Sequence, residues 1–219
     1  MKPEPTDEIY LAAQAEGCGS VVLLGKLILR YASEYRKSRS PDAAYFAGRA
    51  YYEMPLPFPG RSRKARAWLE RSVAGRPQDV FSYHLLGCLA FDERKYLPAT
   101  MALERIAPKA FAELNPYWKW RDTKVLELRC AAAIHMNDLE RLASAAAAYS
   151  EVVCAADEED IPAPHELVAA LSSEESLQAN PALMRSLARH LEIGWGDTLG
   201  RELTRLANVG HEAQKSDTS

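Results

Sequence analysis

Glycine is scarce in this chain, with 11 in 219 residues. Runs of valine, isoleucine and threonine are rare, whereas alanine and leucine abound, a balance that favours helix over sheet. No stretch alternates apolar and polar residues long enough to argue for a strand. Long apolar runs are missing too. The most apolar one, "SVVLLGKLILRYA", is interrupted by Lys26 and Arg30 and is too short and too charged to span a bilayer. The opening "MKPEPTDEIY" is polar, and four of the first sixteen residues are acidic, unlike a signal peptide or an Arg-rich transit peptide. The expectation is a cytoplasmic protein with no membrane partner.

The usual marks of catalysis and metal binding are absent as well. Cys18, Cys88, Cys130 and Cys154 are far apart and form no CxxC pair, so buried free thiols in a reducing compartment are expected. The five histidines form no HExxH, and Cys130 and His135 point to different sides of a helix. No GxSxG nucleophile occurs. "GCGSVVLLGKL" fails as a phosphate loop, because five residues separate Gly19 from Gly25 and Leu27 takes the place of the magnesium-binding hydroxyl. "DEED" reads as a solvated linker. No metal, no cofactor and no enzymatic activity are expected.

What is present is helical periodicity, with apolar residues at i, i+3, i+4 and i+7 in nearly every segment. A short first helix is expected over 6–15. Ser20 should cap a second to about residue 37, with Val21, Leu24, Leu27, Ile28 and Tyr31 as its apolar stripe. Ser40 with Pro41 should open a third, to Glu53. The three prolines of "MPLPFPG" forbid helix. Ser62 and Asp79 are expected to cap the next two, and Pro98 to lie in the first turn of a helix ending near Ile106. A short helix near 108–115 should precede a long one opened by Pro116 and stopped at Asn137. Further helices are expected over 139–156, 164–171, 181–192 and 197–208.

Two of these helix pairs share a spacing. In "YHLLGCLAF", Gly87 is flanked by Tyr83, Leu86 and Ala90, and the following helix supplies Ala99, Leu103 and Ile106 at twelve, sixteen and nineteen residues beyond it. Earlier, Ala47, Gly48 and Tyr51 are followed by Ala65, Leu69 and Pro77, with a turn five residues longer. A small residue flanked by large ones suits the crossing of two helices in a hairpin. The pattern resembles the tetratricopeptide repeat. The longer turn followed by Lys64, Ala65, Trp68 and Gly75 is similar to the Sel1-like variant, with Ser72 where alanine is usual. A weaker third unit uses Leu128, Arg129 and Ala132 with Ala145, Tyr149 and Val152, Arg129 replacing the small crossing residue.

The resemblance implies an all-α fold, a superhelical array of helical hairpins with extra helices capping both ends. The repeat domain is expected over 1–160, with units at 41–77, 78–111 and 116–156. Helices over 161–210 would extend it or pack on it, and 211–219 would be a disordered tail. It also implies a protein–protein interaction module, an adaptor, scaffold or chaperone-like protein that holds a peptide or protein segment on a concave face.

Charge suggests where. Residues 26–76 carry twelve basic and four acidic side chains, whereas residues 77–219 carry fourteen basic and twenty-two acidic, a polarity hidden in the net charge of −3. Tyr45, Arg49 and Tyr52 are expected to line the face, joined by Tyr83 and His84. Arg63, Lys64 and Arg66 would supply charge at its rim for an acidic ligand. Nucleic-acid binding by the basic half is the alternative, opposed by the acidic remainder and a pI near 6.0. In "NPYWKWRD" either one aromatic, Trp118 or Trp120, is exposed at a contact surface, or two of Tyr117, Trp118 and Trp120 flank the core and the third packs over a loop. Phe58 either plugs the neighbouring hairpin or stands out as an apolar knob.

Overall fold

The structure is a computed structural model that describes residues 20–154 and 164–173. Among these residues every regular element is helical and none is a strand. The helices expected at 6–15, 181–192 and 197–208 lie outside the described residues, as does the tail. No described helix is long and apolar enough to cross a membrane. The chain divides into two compact units between Glu93 and Arg94, within the span expected for the second hairpin.

The first unit contains α1 (Val21–Ser38), α2 (Pro41–Glu53), α3 (Arg61–Gly75) and α4 (Val80–Asp92). Local chemistry sets the starts of α1 and α2. Ser20 Oγ accepts from Leu23 N at 3.3 Å, and Ser40 Oγ accepts from Ala43 N at 3.4 Å, with Pro41 pre-set for the first turn. Arg39 ends α1 in the left-handed region (φ 54°), and its N–H donates to Tyr35 O at 2.8 Å.

The expected cap of α3 is corrected. Gly60, at φ +70°, turns the chain so that α3 begins at Arg61, and its carbonyl accepts from Lys64 N at 2.9 Å. Ser62 therefore lies inside the helix. Asp79 does precede α4, but its side chain makes no capping bond and turns inward to Ser72 and Ser82.

The stripe of Leu24, Leu27, Ile28 and Tyr31 packs on Ala43, Ala47 and Ala50 of α2. Val21, placed on that stripe from the sequence, is exposed instead. Helix α2 also meets α3 and α4. It approaches α3 closely at Gly48, where a Cβ would lie 2.8 Å from Leu69 Cγ. Small residues on α2 let the backbones come this near.

The second unit contains α5 (Tyr96–Leu103), α6 (Ala110–Leu114), a 3₁₀ turn (Pro116–Trp118), α7 (Lys119–His135), α8 (Leu139–Cys154) and α9 (His165–Ser173). Pro116 opens that 3₁₀ turn, and α7 proper starts three residues later. Helix α5 ends at Leu103, short of the expected Ile106. Helix α7 is buried around almost its whole circumference and is contacted by α5, α6, α8 and α9. That makes it the centre of its unit. Leu128, Ala132, Ala145, Tyr149 and Val152 are all buried, whereas Arg129 is half-exposed.

Two buried carboxylates of α7 cap neighbouring helices. Asp122 accepts from Phe111 N (3.0 Å) and Ala112 N (2.8 Å) at the start of α6. Glu127 Oε1 accepts from Glu166 N (2.9 Å) and Leu167 N (3.3 Å) at the start of α9. Lys124 Nζ lies 3.0 Å from Glu127 Oε2 and also pairs with Glu166. Free backbone N–H groups at a helix start donate well to such carboxyl oxygens.

Candidate functional site

Of the eight residues expected at a binding face, three belong to the interior of the first unit. Tyr45 is buried, with its ring set edge-on to Phe46 (5.2 Å) and Phe81 (6.0 Å). Arg49 is buried and its Nε donates to Glu53 Oε1 at 2.8 Å. His84 is buried as well. These positions lie on the sides of α2 and α4 that other helices cover. Sequence spacing alone could not separate that side from an open one. Tyr52 and Tyr83 are half-buried. Arg66 is engaged with Glu93 at 2.8 Å. Arg63 and Lys64 are exposed.

Lys64 belongs to a larger arrangement. On α3, Arg61, Lys64, Trp68 and Arg71 recur at i, i+3, i+7 and i+10, flanking the buried stripe of Ala65, Leu69 and Ser72. Each of the three cations lies over an aromatic ring. Arg61 Cζ is 5.4 Å from the centre of Tyr52, and Arg71 Cζ is 4.6 Å from that of Trp68. Lys64 Nζ is 5.6 Å from both Tyr51 and Phe58. Trp68 in turn meets Tyr35 edge-on at 5.4 Å, and Arg39 lies 5.5 Å over Tyr35.

Tyr35, Tyr51, Phe58 and Trp68 are half-buried and rim the core formed by α1 and α2. Phe58 thus plugs the hairpin rather than standing out from it. A cation held over a ring is attracted by the ring quadrupole and gives up part of its rotational freedom. It remains a full positive charge at the surface. Arg39, Arg61, Lys64 and Arg71 form no ion pair among the described residues. By contrast, Arg49, Arg66 and Arg76 are paired to Glu53, Glu93 and Asp42.

Of this set the expected site had included only Tyr52 and Lys64. The signal for the rest was present as the four-residue stripe within "RSRKARAWLER". Arg39, Tyr35 and Phe58 carried none, because they reach the stripe through tertiary packing.

No group of three or more histidine, cysteine or carboxylate side chains could hold a metal among the described residues. Cys130 is a buried free thiol, and burial pushes it up to about 12. The surface aromatic of "NPYWKWRD" is chiefly Tyr117, 88% exposed, with Trp120 at 40% and Trp118 half-buried. The 3₁₀ turn, rather than a continuous helix, throws Tyr117 outward.

Comparison with known proteins finds no matching family model, no matching curated protein and no matching solved structure.

Proposed function

We propose that this chain is a cytoplasmic protein-interaction module of helical hairpins akin to the tetratricopeptide and Sel1-like repeats. Its ligand is an acidic peptide segment of a partner protein, lying along α3. The observation that carries this reading is that Arg39, Arg61, Lys64 and Arg71 are each set over an aromatic ring and none has a carboxylate partner among the described residues. From Arg61 to Arg71 the stripe is about 15 Å long at the helical rise of about 1.5 Å per residue. About five residues of extended peptide cover that length. The close approach at Gly48 and the burial of Ala47, Ala65 and Leu69 support the hairpin architecture.

A protein ligand is favoured over nucleic acid by the state of the rings. Base stacking requires open aromatic faces. Here Tyr35, Tyr51, Phe58 and Trp68 are half-buried against the core and already have a cation or another ring on them. The stripe offers charge rather than stacking platforms. No catalytic step or cofactor forms part of this reading.

The test is fluorescence anisotropy with a labelled glutamate-rich decapeptide, beside a lysine-rich decapeptide and an oligothymidylate of equal length. The glutamate-rich peptide should bind saturably, and Arg61→Glu with Arg71→Glu should weaken it by at least about tenfold, ~1.4 kcal/mol. Tighter binding of the oligothymidylate, or equal affinity of the double variant, would refute the reading.

A further inference from the structure

The second unit contains a cavity of about 370 Å³, formed by residues of α5, α7 and the first turns of α8. Thr100 lines it, only 1% exposed, with its hydroxyl lacking a hydrogen-bond partner among the described residues. A threonine inside a helix ordinarily returns its hydroxyl to the carbonyl one turn earlier. A buried hydroxyl left unpaired is costly, and such groups in folded proteins call for a reason.

The charges around the cavity fall into two sets. Arg141 is satisfied within the protein, at 3.4 Å from Glu104 and 3.3 Å from Asp138, while Asp138 Oδ1 also accepts from Arg141 N at 3.0 Å. Arg129 and Glu140 line the same cavity and make no hydrogen bond or ion pair among the described residues. One cation and one carboxylate are therefore left unmatched, with the hydroxyls of Thr100 and Ser144 beside them. Arg129 stands where the hairpin pattern has a small residue. Its neighbours in that pattern, Leu128 and Ala132, are buried, and it alone opens onto the cavity.

We infer that this cavity binds a small zwitterion of amino-acid size, with its carboxylate on Arg129 and its ammonium on Glu140. The guanidinium fork suits a carboxylate, which it can hold through two parallel hydrogen bonds. A simple anion would face Glu104, Asp138 and Glu140, and a simple cation would face Arg129 and Arg141. A molecule bearing both charges meets neither obstacle. Ala145 is the only apolar side chain in the lining among the described residues, so the remainder of the ligand is polar and uses the Thr100 and Ser144 hydroxyls. The volume falls near the lower end of cavities that hold small organic molecules.

The experiment titrates the full chain with three probes, followed by NMR or calorimetry. They are L-glutamine, N-acetyl-L-glutamine, which lacks the ammonium, and L-glutaminamide, which lacks the carboxylate. L-glutamine should saturate the protein below about 10 mM, and each blocked form should bind at least about tenfold more weakly. Arg129→Gln should abolish the preference for L-glutamine over L-glutaminamide. Glu140→Gln should abolish the preference over N-acetyl-L-glutamine. A merely structural role for either residue would not produce this crossed pattern. No saturation by L-glutamine, or equal binding of the three probes to the wild type, overturns the inference, and neither result depends on the variants folding.

Discussion

Ser72 Oγ lies 3.0 Å from Asp79 Oδ2 with both residues buried, and this contact joins the body of α3 to the residue that precedes α4. The same hydroxyl is 2.9 Å from Pro41 O at the start of α2, and Ser82 Oγ donates to Asp79 Oδ2 at 2.7 Å. Serine at position 72, where the Sel1-like pattern has alanine, is thereby explained. It ties three helices at one point. Ser72→Ala should lower stability by about 1–3 kcal/mol, because a buried carboxylate loses a partner. Urea unfolding of the two proteins measures this, and equal midpoints would show that the hydroxyl holds nothing.

Gly48 makes its own prediction. A Cβ there would sit 2.8 Å from Leu69 Cγ and 3.2 Å from the Leu69 backbone nitrogen. Gly48→Ala should cost ~1–3 kcal/mol through overpacking. Combining it with Leu69→Ala should destabilise by less than the sum of the single changes, since the two sites share one contact. Strict additivity in thermal melts would rule out the crossing geometry.

Arg66 should behave unlike its neighbours on α3. Its charge is already matched by Glu93, in a pair whose two side chains are each 26% exposed. Such pairs contribute about 0–1 kcal/mol. Arg66→Ala should leave affinity for the glutamate-rich peptide unchanged, whereas Lys64→Ala weakens it. The difference should shrink as salt rises from ~0.1 M to ~1 M, where the Debye length falls from ~10 Å to ~3 Å. Equal losses in the two variants would remove the distinction between paired and unpaired cations.

Glu127 links stability to pH. Burial pushes its carboxyl up to about 7, and a hydrogen bond with Glu166 adds to the effect, while Lys124 pulls the other way. Tyr149 and Cys130 also face this group electrostatically. In the unfolded chain the same carboxyl titrates near ~4.3. Between these values the folded protein holds the proton and the unfolded chain releases it, so raising pH favours unfolding. Glu127→Gln keeps an oxygen to accept from Glu166 N and Leu167 N but cannot titrate. The wild type should therefore lose stability relative to Glu127→Gln as pH rises from about 4.5 to 7. A difference independent of pH in melts across that range would contradict it.

The positions of the helices were largely legible because helix formation is local. Ser20 and Ser40 accept hydrogen bonds from the amides three residues ahead, and Asn137 ends α7 in the left-handed region at φ 54°. The apolar stripe of α1 appears at helical spacing and is buried as read, save for Val21. Where a longer-range partner competes, local reading failed. Asp79 resembles a cap from its neighbours, yet its carboxylate is drawn to Ser72 on another helix.

The proposed binding surfaces divide along the same line. The stripe of Arg61, Lys64, Trp68 and Arg71 is periodic, and the periodicity alone places those four on one side of α3. Which cations stay unpaired was decided by tertiary structure. Arg66 finds Glu93 twenty-seven residues away, and Arg76 finds Asp42 thirty-four residues away. The buried carboxyl groups of Asp122 and Glu127 cap helices through amides eleven and thirty-nine residues from them. By itself the sequence determined an all-helical chain with its stops, starts and buried stripes, because 3.6-residue periodicity and capping act within a turn or two. The fold decided which polar groups satisfy one another and which, like Arg129, are left facing a cavity, because that depends on which helix faces meet.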